Sequence, residues 1–471
     1  MAKNYDLVII GGGIGGYTAA IRAAQLGLQT AIVEESKLGG TCLHHGCIPT
    51  KALLRSAEVY RTVKKAAAFG IKTGETDLQF SRVQERKAEI VHTLHQGVLS
   101  LMKKGSIDLY DGTGRILGPS LFSPMTGTIS VEMNDGSENV MLMPKHIIIA
   151  TGSRPASIAG LQPDGERILS STEALEMERV PSSILIVGGG VIGVEWASML
   201  ADFGSRVTLL EYADRILPME DHDVSAEVQK QLQKRKVNIV VKADVQADTL
   251  QTYPDHVSIQ TADGQEFSAQ HMLIAAGRTG NVENIGLEKT DISIENGRIE
   301  VNEWMQTKES HIYAAGDVTG GLQLAHVAAY EAKTAVEHLA GQAVEPIDYT
   351  FVPRCIYSYP EAASVGLTEQ QAREQQKDVK VGKFPFSAIG KAIVYGETDG
   401  FVKVISDAQT DDLLGIHIVG PHATELIAEA ALGKWLDASG WEMGAMVHPH
   451  PALSEAMGEA ALMLDGKAIH F

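Results

Sequence analysis

The amino-acid sequence predicts an α/β fold that contains the same βαβ unit twice and ends in an α+β region. Residues 5–10 form an apolar run that leads into a glycine-rich turn, an alanine-rich helix and a second apolar run ending at Glu34. The same order of features returns between residue 184 and Glu211. The two copies start 177 positions apart (188 − 11), and in each the acid follows the middle glycine by 21 positions (34 − 13 and 211 − 190). This regular spacing indicates an internal repeat.

The remaining elements follow from local patterns. Three further apolar runs end in small residues, as strands that enter a tight turn do, at residues 147–152, 272–277 and 312–317. Residues 79–104 predict one long helix. Beyond about residue 348, alternating runs at 379–384, 401–405 and 414–419 predict antiparallel strands, and 423–436 predicts a helix. We therefore divide the chain into segments 1–147, 148–278, 279–347 and 348–471.

Composition excludes several classes of protein. A chain of 471 residues is long enough for about three domains. Its net charge of −19 argues against nucleic acid or an anionic membrane surface as the main partner. Three cysteines are too few for a secreted disulfide scaffold. Because no signal peptide and no apolar run of about 18 residues is visible, the sequence predicts a cytoplasmic protein.

Both glycine-rich turns carry the Gly-x-Gly-x-x-Gly pattern of dinucleotide-binding folds. The two sets are Gly11, Gly13 and Gly16 with Glu34, and Gly188, Gly190 and Gly193 with Glu211. The first glycine makes the tight turn, the second lets a pyrophosphate approach the backbone, and the third lets helix and strand pack closely. The acid accepts hydrogen bonds from ribose hydroxyls. Since each pattern stands between a predicted strand and a predicted helix, the sequence predicts two Rossmann-like domains.

The second acid also favours one nicotinamide cofactor over the other. The carboxylate of Glu211 would repel the 2′-phosphate of NADP, so the sequence favours NAD. Arg215 lies close enough in sequence to leave NADP as the alternative. Two dinucleotides in one chain suggest electron transfer between a flavin and a nicotinamide.

Two of the three cysteines, Cys42 and Cys47, lie in one short segment. On a regular helix a five-residue step turns by about 500°, so their side chains would point about 140° apart. A disulfide needs Cα atoms within roughly 7 Å, which requires a distorted turn, and Gly46 permits one. A zinc site with His44 and His45 and a pair of inert thiols are the alternatives. The third cysteine, Cys355, is predicted to be a buried structural thiol.

The segment 39–51, Gly-Gly-Thr-Cys-Leu-x-x-Gly-Cys-Ile-Pro-x-Lys, resembles the flavoprotein disulfide reductases, which are the class I pyridine nucleotide-disulfide oxidoreductases. The resemblance covers essentially the whole chain and is strongest to the branch that oxidises dihydrolipoamide. Further matching segments are 150–152, 188–195, 275–278, 315–317 and 448–455. The resemblance implies that the four segments are an FAD-binding domain with a redox disulfide, an NAD-binding domain, a central domain that completes the FAD site, and a C-terminal dimerisation domain.

The resemblance also implies roles for the reactive residues. Cys42 is the thiol that exchanges with substrate, and Cys47 is the thiol that contacts the flavin. His450 is the base, because the pattern His-Pro-x-x-Ser-Glu is that of the family, and Glu455 orients it. The neighbouring His448 is the other histidine of this segment. In the family the base serves the active site of the other subunit, which implies an obligate homodimer.

The remaining site residues concern the cofactors. Lys51 is expected near the flavin ring, paired with Glu195, although such residues are more often ordinary surface charges. Asp317 is expected to bind the ribityl chain of FAD. Other residues expected at the cofactors are Thr41, Thr151, Gly152, Gly277 and Arg278. No metal is expected.

The implied reaction is oxidation of protein-bound dihydrolipoyl groups, with electrons passing through the Cys42–Cys47 disulfide and FAD to NAD⁺. The implied partner is the lipoylated acyltransferase core of a 2-oxoacid dehydrogenase complex, or the lipoyl carrier protein of glycine cleavage. A glutathione- or mercuric-reductase-like enzyme and a non-catalytic nucleotide sensor are the alternatives. The sequence departs from the commonest family pattern at His44, Thr50, Pro449 and Ala452, and none of these changes removes a reactive atom.

Overall fold

The structure is a computed structural model that describes residues 3–119 and 127–470. The chain forms two compact units, each assembled from three separate stretches. The first unit contains Met1–Leu53, Ser81–Ala156 and Gly277–Ile347, and the second contains Leu54–Phe80, Ser157–Ala276 and Asp348–Phe471. The division into four domains at 147, 278 and 347 stays a prediction.

The strands, in chain order, are β1 (Lys3–Ile10), β2 (Thr30–Glu34), β3 (Asp108–Leu117), β4 (Thr128–Met133), β5 (Val140–Ile149), β6 (Ser153–Pro155), β7 (Ile168–Ser170), β8 (Ser183–Val187), β9 (Arg206–Glu211), β10 (Asn238–Val241), β11 (Val245–Thr252), β12 (Val257–Thr261), β13 (Glu266–Ala269), β14 (His271–Ile274), β15 (Arg278–Gly280), β16 (Ile294–Glu295), β17 (Arg298–Ile299), β18 (Ile312–Ala314), β19 (Arg354–Ile356), β20 (Glu361–Gly366), β21 (Val379–Pro385), β22 (Phe401–Asp407) and β23 (Leu413–Gly420). The helices are α1 (Ile14–Gln25), α2 (Gly40–His44), α3 (Cys47–Lys64), α4 (Phe80–Lys104), α5 (Ser171–Ala174), α6 (Val191–Phe203), α7 (His222–Lys234), α8 (Ala325–Leu339), α9 (Glu369–Glu374), α10 (Gly390–Tyr395), α11 (Ala423–Trp435), α12 (Gly440–Ala445) and α13 (Glu455–Leu462).

The first unit is built on a parallel sheet in the order β3-β2-β1-β5-β18. Side chains of β1 alternate between its two faces, with Leu7 and Ile9 in one buried cluster and Val8 and Ile10 in another. Helices α1 and α8 pack against each other, and their buried alanines join the cluster of Leu7. Strand β4 pairs antiparallel with β3 and β5. Between β3 and the end of β5, the sequence predicted a strand only at residues 147–149. It did not predict β4 or its antiparallel pairing.

The second unit contains the repeated βαβ unit in a parallel sheet of order β10-β9-β8-β14-β7. Strand β8 lies between β9 and β14, as β1 lies between β2 and β5 in the first unit. In both sheets the glycine-rich turn therefore leaves a central strand, where a Rossmann-like fold binds its ligand. The predicted internal repeat is confirmed.

The C-terminal part of the second unit is an antiparallel sheet in the order β19-β20-β23-β22-β21. Helix α11 packs on β20 and β23, and α13 packs on β21 and β22 around one buried core. The strands and the helix predicted after residue 348 are confirmed, with ends that differ by at most a few residues. Over the described residues, no helix combines the length and the apolar character that a membrane crossing requires.

Candidate active site

In the first glycine turn, two of the three glycines are required because a side chain would clash with neighbouring protein atoms. Gly11 has a φ of +101°, and a Cβ built on it would lie 2.3 Å from Ala150 O. A Cβ on Gly16 would lie 1.9 Å from Gly11 O, at the contact between helix and strand. At Gly13 the nearest atom would be Gly40 Cα at 3.9 Å. A Cβ on the middle glycine would therefore make only an ordinary van der Waals contact within the chain.

The second glycine turn repeats this geometry. Gly188 has a φ of +111°, and its Cβ would lie 2.4 Å from Ala275 O. A Cβ on Gly193 would lie 1.9 Å from Gly188 O, whereas a Cβ on Gly190 would meet nothing within 4 Å. In both turns the middle glycine thus leaves a cradle that a side chain would fill. A pyrophosphate fits such a cradle.

Helix α1 and helix α6 present their N-termini at these cradles. Gly13 is the N-cap of α1 and Gly190 is the N-cap of α6. Neither helix has a side-chain cap or an acidic residue in its first turn. The N–H groups and the positive end of each helix dipole therefore favour a phosphate at this point.

The two acids hold the turns in place. Glu34 Oε2 accepts a hydrogen bond from Gly12 N at 2.6 Å, and Glu211 Oε2 accepts one from Gly189 N at 2.5 Å. Each carboxylate accepts a second N–H, from the residue two positions further on. Burial raises the pKa of Glu34 and outweighs the two N–H groups, which lower it. Both acids are fixed beside their turns at the ends of β2 and β9.

Arg215, the residue that left NADP open, has partners of its own. Its Nη2 donates to Pro218 O at 2.7 Å, and its Nη1 lies 3.7 Å from Asp214 Oδ1. The guanidinium is thus held by its own loop. This arrangement supports NAD at the second turn.

The two cysteines lie on either side of a break between two helices. Cys42 is in α2, Cys47 is the first residue of α3, and the chain leaves helical geometry at His45. A Cβ on Gly46 would lie 3.1 Å from Thr41 O, so this glycine lets the two helix ends approach closely. The side chains of Cys42 and Cys47 are both thiols, and they are hydrogen-bonded to each other. The distorted turn that the sequence required is confirmed.

Helix α2 begins directly against the first glycine turn. Gly39 and Gly40 both have positive φ, +111° and +58°. A Cβ on Gly40 would lie 2.6 Å from Gly13 Cα. Cys42 is therefore carried on a helix that packs against the proposed pyrophosphate cradle, with Thr41 between Gly40 and Cys42.

The electrostatic surroundings of Cys42 favour its protonated form. The hydrogen bond with Cys47 and then burial raise the pKa of the Cys42 thiol, and the positive charge of Lys51 opposes them. Lys51 stands four positions after Cys47 on α3, which is one helical turn. The hydrogen bond and burial outweigh the charge of Lys51, so Cys42 is held as a thiol and not as a thiolate.

Asp317 belongs to a three-residue cluster that the sequence did not reveal. The Ser153 hydroxyl donates a short hydrogen bond to Asp317, and it accepts one from Arg278 Nε at 2.7 Å. Arg278 Nε lies 3.7 Å from Asp317 Oδ2. Burial lowers the pKa of Arg278, and the charge of Asp317 opposes this. Ser153 carries no motif of its own, and its place next to Thr151 and Gly152 after β5 is the single hint in the sequence.

A third buried carboxylate repeats the pattern of Glu34 and Glu211. Glu331 of α8 accepts a hydrogen bond from Gly316 N at 2.7 Å, directly before Asp317. The sequence does not reveal the role of this residue, because a glutamate in a helix is usually exposed. The expected cofactor residues Thr151, Gly152 and Gly277 also follow strand ends, and both glycines have positive φ.

Glu195 is not the surface charge that its residue type suggests. It is buried in α6, and its Oε1 accepts a hydrogen bond from Tyr357 N at 3.0 Å. Lys51 lies on α3. The ion pair between Lys51 and Glu195 stays a prediction.

His450 and Glu455 form a hydrogen-bonded pair. His450 Nδ1 lies 2.8 Å from Glu455 Oε1, and Glu455 Oε2 accepts from Ala452 N at 2.9 Å. Burial alone would raise the pKa of Glu455, but the hydrogen bonds from Ala452 and His450 lower it. The side chain of His450 is 78% exposed. With Nδ1 occupied, the imidazole presents Nε2 to the outside.

The predictions of a buried Cys355 and, as an alternative, of a zinc site at the cysteine segment concern the thiols and histidines. Cys355 is half-buried rather than buried, and its Sγ lies 3.9 Å from Thr424 O. His44 Nε2 and His95 Nδ1 both contact Leu38 O, at 3.0 and 2.9 Å. Within residues 3–119 and 127–470, no group of three His, Cys, Asp or Glu side chains is arranged to hold a metal ion.

Comparisons with known proteins agree with this geometry. Residues 5–332 match the family "Pyridine nucleotide-disulphide oxidoreductase", and residues 352–461 match its dimerisation domain, which supports a homodimer. A dihydrolipoyl dehydrogenase of Bacillus subtilis is 62% identical and one of Zymomonas mobilis is 42% identical, each over 100% of both chains. Among solved structures, LpdA of Mycobacterium tuberculosis has a TM-score of 0.89 at 26% identity over 98% of this chain and 100% of its own. A Cu(II) complex of the HOCl-induced flavoprotein disulfide reductase RclA of Escherichia coli has a TM-score of 0.87 at 30% identity, with the same coverage.

The matches span both glycine turns, the cysteine segment and the C-terminal sheet. FAD and NAD are the cofactors that this family uses, in agreement with the two cradles at Gly13 and Gly190. The chain therefore belongs to the pyridine nucleotide-disulphide oxidoreductase family, as an FAD-dependent and NAD-linked oxidoreductase.

Proposed function

We propose that this protein oxidises protein-bound dihydrolipoyl groups through Cys42 and Cys47 and delivers the electrons to NAD⁺. The observation that carries the proposal is the hydrogen bond between the thiols of Cys42 and Cys47, with Cys42 on a helix packed against the first glycine turn. Full-length identity of 62% to a dihydrolipoyl dehydrogenase supports the choice of substrate.

The cofactor sites are assigned by the same reasoning. The first turn, with Gly13 and Glu34, would hold FAD, and the second, with Gly190 and Glu211, would hold NAD. Asp317, fixed by Ser153, would bind the ribityl chain. FAD and NAD⁺, when bound, take the electron pair whose removal re-forms the Cys42–Cys47 disulfide. The four segments accordingly serve as FAD-binding, NAD-binding, central and dimerisation domains.

The chain's own residues perform thiol–disulfide exchange. His450 Nε2 takes the proton of one dihydrolipoyl thiol, and the resulting thiolate attacks Cys42 Sγ of the Cys42–Cys47 disulfide. A bond forms between the substrate sulfur and Cys42, and the Cys42–Cys47 bond breaks with its electron pair on Cys47.

The second exchange closes the lipoyl disulfide. The second dihydrolipoyl sulfur attacks the first, and Cys42 leaves with its electron pair. Cys42 receives the proton that His450 held, and the second thiol passes its proton to His450. A Cys42 thiol with a raised pKa retains this proton. The exposed position of His450 suits a base that acts on the thiol pair of the other subunit in a homodimer.

The partner follows from the substrate. A dihydrolipoyl group is carried by the acyltransferase core of a 2-oxoacid dehydrogenase complex or by a lipoyl carrier protein of glycine cleavage. The net charge of −19 complements a basic docking surface on such a partner. A cytoplasmic location is part of the same proposal.

The direct test is an assay of the purified protein. We expect a yellow protein that reduces NAD⁺ with dihydrolipoamide and that does so poorly with NADP⁺, because Glu211 repels a 2′-phosphate. The same preparation should not oxidise NADPH with glutathione disulfide. A colourless protein, or one inactive with dihydrolipoamide, contradicts the proposal.

Replacing the base provides a second test. We expect His450→Gln to lower the rate of dihydrolipoamide oxidation by about 10²-fold or more, the scale of general-base catalysis. His256→Gln is the matched control, since His256 Nδ1 also lies 2.8 Å from a carboxylate, that of Asp255. Steady-state kinetics of both variants compare the two. An unchanged rate in His450→Gln would assign the base elsewhere.

A further inference from the structure

A second histidine–carboxylate pair lies two residues before the proposed base. His448 Nε2 lies 2.8 Å from Glu429 Oε1, the same distance that joins His450 to Glu455. The two histidines differ in exposure, because the side chain of His448 is only 6% exposed. His448 is therefore enclosed by the protein, whereas His450 faces outward.

His448 follows α12 in the chain and contacts residues of α11 and α13. Glu429 belongs to α11, and His448 lies in the segment between α12 and α13. A Cβ built on Gly458 of α13 would stand 3.1 Å from His448 Nδ1 and 3.2 Å from its Cε1. The glycine thus lets α13 pack closely on the imidazole ring. The hydrogen bond to Glu429 raises the pKa of His448 above its ordinary value.

Within one chain, the other residues of this segment make few buried contacts. Met446, Val447, Pro449, His450 and Pro451 are all exposed. An exposed stretch with few buried contacts opens easily, whereas proton transfer requires the base to be held close to one geometry. His448 is a buried side chain within this exposed stretch, so its contacts limit where the backbone on either side can go.

We infer that the His448–Glu429 pair is a positioning device that anchors the segment and places His450 for proton transfer. The inference rests on the proposed role of His450 as the base. Helix α13 provides the common frame: Glu455 at its start holds His450, and Gly458 one turn later contacts His448. His450 is thereby fixed to α13 directly through its own side chain and indirectly through the ring of His448.

The test distinguishes the position of the acceptor oxygen at residue 429 from its charge, and both from an effect on folding. Glu429→Ala removes the acceptor of His448, and Glu429→Gln keeps an acceptor oxygen at the same place without the charge. We expect Glu429→Ala to lower the rate constant for reduction of the oxidised holoenzyme by dihydrolipoamide by about tenfold, the size of effect that a small misplacement produces. Glu429→Gln should stay within about twofold of the unmodified enzyme, because the acceptor oxygen that holds His448 is kept although its charge is lost. Stopped-flow absorbance of the flavin measures both.

Three controls make the result decisive. Reduction of the same variants by NADH does not use His450 and should be unchanged, as should flavin content and dimer mass. The double variant Glu429→Ala/His450→Gln should be no slower than His450→Gln alone, because the pair acts through His450. The inference is overturned if Glu429→Ala keeps the dihydrolipoamide rate, loses both half-reactions equally or dissociates the dimer, or if Glu429→Gln is as slow as Glu429→Ala. Failure of the proposed function would show differently, as a His450→Gln enzyme with an unchanged dihydrolipoamide rate.

Discussion

Cys42→Ser is expected to abolish dihydrolipoamide oxidation while the protein still binds its flavin. A serine hydroxyl cannot form a disulfide with Cys47, so the exchange has no bond to break. The expected loss is roughly 10⁴-fold or more, as for removal of a nucleophile. The structure places the Cys42 side chain half-buried on the short helix α2, and the substitution keeps its size close to that of cysteine. Turnover is measured by NADH formation and flavin retention by visible absorbance.

Cys355→Ser is the matched control for this prediction. Cys355 lies in β19, packs against the C-terminal core, and has its Sγ 3.9 Å from Thr424 O. We expect Cys355→Ser to keep full turnover. Turnover close to that of the unmodified protein in Cys42→Ser, or loss of turnover in Cys355→Ser, would show that the redox pair has been assigned to the wrong thiols.

The features that the sequence predicted are local ones, whose geometry is determined by residues close together in the sequence. Gly11 and Gly188 are needed for a turn with positive φ, and Gly16 and Gly193 for helix–strand contact, so a short pattern carries the whole geometry. The break between Cys42 and Cys47 was also predictable, because a disulfide excludes a regular helix there.

The features that the sequence did not predict depend on residues far apart. Ser153 joins Asp317 across 164 positions, and neither residue type is unusual near a strand end. Glu331 was missed because its burial depends on how α8 lies beside the loop at Gly316. The insertion of β4 was missed for a similar reason, since its pairing with β3 and β5 is a tertiary choice.

A buried charge cluster around Lys403 likewise depends on residues that are far apart in the sequence, and the sequence did not predict it. Its side chain is 1% exposed, and its Nζ lies 2.9 Å from Asp221, 2.8 Å from Asp223 and 2.8 Å from Glu369. Asp221 is fully buried and also caps α7 by accepting from Asp223 N. Burial alone would lower the pKa of Lys403, but the three carboxylates raise it above its ordinary value. The ammonium group therefore stays charged and offsets part of the negative charge of the three carboxylates.

Lys403→Met is expected to lower the free energy of unfolding by about 3–5 kcal/mol, because it leaves Asp221 buried without a counter-charge. Equilibrium urea unfolding followed by circular dichroism measures the change. Lys383→Met is the matched control: Lys383 Nζ lies 2.9 Å from the same Asp223, but its side chain is 43% exposed. An exposed ion pair contributes little, so we expect Lys383→Met to cost less than about 1 kcal/mol. Equal losses in the two variants would mean that burial does not set the strength of this cluster.

The pH dependence of the same variant separates charge from packing. In the intact protein the pKa values of Asp221 and Glu369 are held below their ordinary values of 3.8 and 4.5. Groups with lowered pKa contribute stability that is present above those values and is lost as the pH falls through the lowered ones. The difference in unfolding free energy between the unmodified protein and Lys403→Met should therefore be full at neutral pH and should narrow below about pH 4. A difference that stayed constant across this range would come from the altered side-chain packing and not from the buried charges.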